Sequence, residues 1–209
     1  MNWAKMLVYT LLEEKLDAPK ILSRVELSTD AVNYSSECES IHLLTLGEAD
    51  GQATYEMVFG TSNIVGDIQD AIDNAFEAIL RIEKRSAREI KMVEKTALSR
   101  FYKESEIDFI KKLIIPQQGG SGDYEIAYGV FLGYTLGINP AGYTNEQYAA
   151  MVEKRLDLDI KSHAAYIAKK IVDLGLDGHS FYFYILPFDD AELNKKEIME
   201  NVMKGDVTL

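Results

Sequence analysis

Between Ile41 and Ile82 the apolar residues change their period once, and that change limits the folds open to the chain more than any other feature. Up to Phe59 they come in short strand-like runs, Ile41 to Leu46 and Tyr55 to Phe59. The joining segment Gly47-Glu48-Ala49-Asp50-Gly51-Gln52 contains an Asp-Gly pair that marks a hairpin. From Asp67 onward Ile68, Ala71, Ile72, Ala75, Phe76, Ile79 and Ile82 recur at steps of three and four, the spacing of one helical face. An antiparallel strand pair followed by a long amphipathic helix calls for a sheet on which that helix can lie.

The flanking sequence supplies the rest of such a sheet. A helix is predicted over residues 2–16, with Trp3, Met6, Leu7 and Leu11 on one side, ending before Pro19. A strand follows over 20–28 through Ile21, Leu22, Val25 and Leu27. After the amphipathic helix, further helix reaches about Ile114 and stops at Pro116. The loop Gln117 to Gly122 is glycine-rich but lacks the Gly-Lys-Ser/Thr of a phosphate cradle, so it reads as a connection. Tyr128 to Leu136 reads as a strand in which Gly129 and Gly133 admit a close neighbour. A long helix from Asn145 is expected to bury Ala149, Val152, Leu156, Ile160, His163, Ile167, Ile171 and Leu174. A buried strand, His179 to Phe188, and a terminal helix capped by Asp189 or Asp190 complete the chain. No repeat or linker divides it, so a single α/β domain is expected over 1–209, with its core to about 136 and a helix-strand-helix completion from 137.

Composition narrows the chemistry. A lone Cys38 excludes an internal disulfide and a paired-cysteine zinc site, and Glu37 and Glu39 beside it oppose thiolate formation. No apolar run approaches the ~20 residues that span a bilayer, and a cytoplasmic protein without membrane contact is expected. With 34 acidic and 22 basic residues the net charge is −12, yet Arg81 to Lys112 holds ten basic residues against six acidic ones. Within that segment Arg81, Lys84, Arg85, Arg88, Lys91 and Lys95 follow mostly helical steps. Such a stripe suits a phosphate backbone or an acidic partner, or else a solvated face softened by Glu83, Glu89 and Glu94. His42 on a strand and His163 on an apolar stripe read as hydrogen-bonded structural residues, and Phe181 to Tyr184 as core strand.

Gly60-Thr61-Ser62-Asn63 leading into Ala71 to Ile79, then Tyr128 to Tyr134 and Ser180 to Phe188, together with Ser36 to His42, resemble the HamA family of bacterial anti-phage proteins. The resemblance implies a restriction-endonuclease-like PD-(D/E)xK core, a central mixed sheet flanked by helices. It also implies a HamB-like superfamily 2 helicase partner in a Hachiman-type complex, with DNA met through that complex. In the family an aspartate and a Glu-x-Lys hold Mg²⁺ at a scissile phosphate and orient the attacking water.

This chain departs from that pattern. Matching the family's segments places Glu39 at the aspartate, Thr61 at the glutamate and Asn63 at the lysine, which leaves a neutral pair where the catalytic charges belong. An alternative match through Gly47-Glu48-Ala49-Asp50 keeps a glutamate but puts an aspartate in a hairpin turn. The first match keeps the family's distance from Gly60 to the helix near Asp67. Three expectations follow: a HamA-type subunit with a degenerate nuclease centre, an active Mg²⁺-dependent nuclease with a rearranged acidic site drawn from Glu39, Glu48, Glu56 and Asp67, or a non-catalytic protein-binding module.

Overall fold

A computed structural model describes residues 3–23, 38–49, 52–86 and 124–204. Helix α1 (Trp3–Glu14) leads to strand β1 (Lys20–Ser23), then to the hairpin strands β2 (Ser40–Ala49) and β3 (Gln52–Ile64). Helix α2 (Ile68–Glu83), strand β4 (Tyr124–Thr135), helix α3 (Asn145–Asp173), strand β5 (Ser180–Phe188) and helix α4 (Ala191–Lys204) follow. One five-stranded mixed sheet is ordered β1-β2-β3-β4-β5. Its first three strands form an antiparallel meander, and β3, β4 and β5 run parallel.

The hairpin strands run well beyond the apolar runs that mark them. Thr61, Ser62 and Asn63 still pair with β4, because ladder hydrogen bonds come from the backbone and do not require apolar side chains. Between Thr45 and Gly47 the β2–β3 register shifts, and Gly47 takes a φ of 136°, a conformation that side chains rarely adopt.

Helix α2 begins where the period changes. The Asp67 carboxylate accepts from the backbone N–H of Gln69 at 2.7 Å and Asp70 at 3.2 Å, so this residue is an N-cap. Ile68, Ala71, Ile72, Ala75, Phe76, Ile79 and Ile82 are all buried, as their spacing predicts. They pack on Met57, Phe59, Tyr128, Val130 and Leu132 of the sheet. At the helix's far end Glu83 accepts from Tyr128 Oη and stands 3.4 Å from His179 Nε2. The opposite face of the sheet carries α1 through Ala4, Val8 and Leu12, and α4 through Ala191 and Ile198.

Two expectations need correction. Helix α3 does not bury one apolar stripe: Ile160 is 41% and Leu174 36% exposed. Its inner face is partly polar, since Asp159 accepts from Tyr134 Oη at 2.9 Å and from Arg155 Nε. Asp73 of α2 likewise accepts from Tyr166 Oη at 2.5 Å and pairs with Lys170 at 2.8 Å. Strand β5 is not buried: it stands at the edge of the described sheet and is half-buried along nearly its whole length. Helices cover its two faces, Phe181 and Phe183 stacking near Phe76, and an aromatic run satisfies that environment as well as a central one.

Candidate functional site

Strand β3 outruns its neighbour. Its last partner in β2 is Gly60, opposite Ser40, and the Glu39 N–H bonds to the Gly60 carbonyl at 2.9 Å. Among the described residues, Thr61 to Ile64 then pair only with Val130 to Gly133 of β4. A cavity of about 360 Å³ lies at this strand end, lined by Glu39, Thr61, Ser62, Asn63, Asn74, Glu77, Ala78 and Arg81. Four residues that the sequence singles out, Glu39, Thr61, Asn63 and Arg81 of the basic stripe, therefore line one cavity. Asn74 and Glu77 escape the sequence reading, although positions 74, 77, 78 and 81 repeat at helical spacing beside the apolar stripe of α2.

Strand alternation divides the polar groups between the two faces. Met57 and Phe59 belong to the core beneath α2, whereas Val58 and Ile64 belong to the core beneath α1. Thr61 and Asn63 therefore face α2, and Ser62 faces α1. The Glu39 carboxylate goes with Ser62, accepting from its hydroxyl at 2.6 Å, and lies 3.9 Å from Lys5 Nζ of α1. Thr61 is nearly buried at 4% exposure, and Asn63 Oδ1 is sealed from solvent with no hydrogen-bond donor among the described residues. At the mouth, exposed Arg81 and Glu77 lie 3.9 Å apart.

The other acidic residues stand elsewhere. Glu56 is five residues back along β3 from Thr61, which at ~3.3 Å per residue is about 16 Å. It is 2% exposed and accepts from Ser180 Oγ and, at 2.5 Å, from Tyr182 Oη. Burial, then the Glu56 hydrogen bond, pushes the Tyr182 hydroxyl up to about 12. Glu48 pairs with Ala53 beside the hairpin turn, at the opposite end of β2 from Glu39. Asp67 is occupied as a helix cap. Among the described residues no group of three or more His, Cys, Asp or Glu is placed to hold a metal ion. At the strand end a divalent cation would meet Glu39 already engaged by a hydroxyl, Glu77 exposed beside Arg81, and between them a neutral alcohol and amide. That donor set does not fit the Mg²⁺ centre that the resemblance implies.

His42 is a structural residue. It is fully buried, Nδ1 lies 2.9 Å from the Ala18 carbonyl and Nε2 lies 2.9 Å from Ser40 Oγ. Burial lowers its pKa, outweighing the Ala18 hydrogen bond and the Glu13 charge that raise it. A base whose folded pKa is depressed supports stability above its unfolded pKa and loses that support as pH falls below it. Folding stability should therefore decline below about pH 6.5, and urea titrations across that range should show a flatter decline for His42→Gln. Cys38 is buried, and His163 Nδ1 lies 2.8 Å from the Asp159 carbonyl on α3, remote from the strand end in the sequence of elements.

Of the basic stripe, Lys84 and Arg85 are exposed just past α2, and Arg81 is at the cavity mouth. Arg88, Lys91 and Lys95 lie outside the described residues. No described helix is long and apolar enough to cross a membrane.

Neither the curated proteins nor the solved structures contain a match to this chain. A protein-family model does match: the one described as HamA aligns with residues 2–202, nearly the full length, and on that match the chain belongs to the HamA family.

Proposed function

We propose that this chain is a nuclease-derived, catalytically inactive subunit of a Hachiman-type anti-phage complex, working beside a superfamily 2 helicase that brings it to DNA. Family membership supports the defence role. The order helix, three-stranded meander, helix and parallel strand supports descent from a restriction-endonuclease-like core. The observation that carries the loss of catalysis is the end of β3. Thr61 and Asn63 are neutral, and the two carboxylates lining the cavity do not converge: Glu39 is turned to Ser62 on the other face, and exposed Glu77 lies beside Arg81. Cleavage of a phosphodiester by this class of site needs a cation held by converging carboxylates and a charged group beside the attacking water. Among the described residues neither is assembled. A rearranged acidic site would need Glu56 within reach of Glu39, and Glu56 is committed to Ser180 and Tyr182.

The purified chain should leave linear and supercoiled DNA intact in Mg²⁺ or Mn²⁺. Metal-dependent cutting that disappears in Glu39→Ala would overturn the proposal. At a net charge of −12 the isolated chain should also bind DNA weakly, with affinity falling steeply as salt rises, and should co-purify with its helicase. Tight DNA binding by the chain alone at physiological salt would remove the need for a partner to deliver it.

A further inference from the structure

Strand β5 closes the described sheet with 9 residues and no charge among them. It pairs with β4 in an unbroken parallel register, and among the described residues nothing pairs with its other side. In such a ladder alternate residues turn both backbone groups to the same neighbour. The Phe188 carbonyl accepts from the Leu136 N–H at 2.7 Å, which fixes the alternation. Tyr182, Tyr184 and Leu186 address β4, and Phe181, Phe183 and Ile185 turn their N–H and C=O groups outward. Pro187 falls at an outward position, where its missing N–H costs the ladder nothing. The side chains of Phe181, Phe183 and Ile185 pack on the α2 face, and those of Tyr182 and Tyr184 on the α1 face. The open side is therefore backbone. Protein edges are commonly guarded by charges or bulges, and β5 has neither, only the proline near its end.

We propose that β5 is a self-association edge, pairing antiparallel with β5 of a second copy about a two-fold axis at Phe183. In that register Phe183 faces Phe183 of the second copy, and Phe181 faces Ile185 of the second copy. Every outward N–H of Phe181, Phe183 and Ile185 then meets an outward carbonyl, since opposed outward residues exchange both hydrogen bonds. Pro187 lies beyond the last such pair. An axis at Tyr184 would set the proline ring against the Phe181 carbonyl of the second copy, so the outward residue that cannot donate selects the register. The side chains agree with it. Phe183 meets its own copy and Phe181 meets Ile185 on one face, and Tyr182 meets Tyr184 on the other, the aromatic and aromatic–β-branched pairs that stabilise neighbouring strands. Charge favours the same occupant. Two copies at −12 repel across most of their surface, whereas β5 offers no charge for a like one to oppose. Two-fold pairing consumes the edge on both copies, so association stops at the dimer. The pairing does not depend on whether the end of β3 cuts DNA.

The test is sedimentation velocity of the full chain from micromolar to near-millimolar concentration, with amide hydrogen exchange read residue by residue at both ends of that range. A monomer–dimer equilibrium is expected, and it should strengthen as salt screens the like net charges. The amides of Phe181, Phe183 and Ile185 should exchange freely at dilution and gain about tenfold protection or more as the dimer forms. Those of Tyr182, Tyr184 and Leu186 should stay protected throughout, because their bonds run to β4. Ile185→Pro removes an outward N–H and no bond to β4, and it should weaken dimerisation by about tenfold or more. Protection at Tyr184 and Leu186 in that variant reports whether the strand is intact, and the exchange pattern of the parent chain tests the pairing even where the variant does not fold. A monomer over the whole range, growth beyond the dimer, or outward amides already protected at dilution overturns the proposal. So does a dimer that leaves those three amides unchanged. Protection that arises only on adding the helicase, without a dimer, gives the edge to a strand of that partner and overturns the proposal as well.

Discussion

Replacing Ser180 by alanine and Tyr182 by phenylalanine together will destabilise the chain by about 3–6 kcal/mol, the sum of two hydrogen bonds to a charged acceptor at ~1.5–3 kcal/mol each. Glu56 is 2% exposed, and its two carboxylate oxygens are divided between those hydroxyls. Removing both donors leaves a carboxylate buried in the sheet face beneath α1 with no replacement from solvent. Urea denaturation will show the loss as a lower midpoint at an unchanged slope. Adding Glu56→Leu to the double variant will recover most of the stability, because an apolar side chain has no acceptor to satisfy. If the triple variant is no more stable than the double, the effect is lost packing and the carboxylate is not its cause. The same cluster sets an alkaline limit. An acid whose folded pKa is raised supports stability below its unfolded value, so the Tyr182 contribution persists to pH 10 and is lost toward its folded value of about 12.

That cluster also marks the boundary of what the sequence discloses. The face of α2 is legible because seven apolar residues repeat within one continuous helix, and Asp67 sits at the position where a cap is required. Glu56 and Ser180 are 124 residues apart, and they meet only because β4 inserts between β3 and β5 in a parallel ladder. Periodicity within single elements carries no information about that order. Strand length is hidden for a related reason, since Ser62 and Asn63 are held by backbone pairing and neither side chain favours a strand. Edge and central position are equally hidden, because the aromatic run of β5 satisfies helices on both faces whichever strand lies beside it. For the cavity, the sequence supplies Glu39, Thr61 and Asn63 through family resemblance. Only in the folded sheet does Glu39 turn to one face while Thr61 and Asn63 turn to the other.

Gly129→Ala and Leu12→Ala are the second pair of substitutions with a large expected effect, and they should be strongly coupled. A Cβ built on Gly129 would lie 2.5 Å from Leu12 Cδ2, 2.8 Å from Cδ1 and 3.1 Å from Cγ. Leu12 is completely buried between α1 and the sheet, so it has no open space into which to withdraw. Gly129→Ala alone should therefore cost about 1–3 kcal/mol through overpacking. Leu12→Ala alone should cost about 2–5 kcal/mol through the cavity it leaves. In the double variant the new methyl group enters the space that the leucine vacates. The combined loss should then fall below the sum of the two and stay close to that of Leu12→Ala, a favourable coupling of the kind seen between residues in contact. Chemical denaturation of the four proteins completes the cycle. Strict additivity would mean that the helix shifts away from β4 when Gly129 is enlarged, and that the seat of α1 on the sheet is not fixed by this contact.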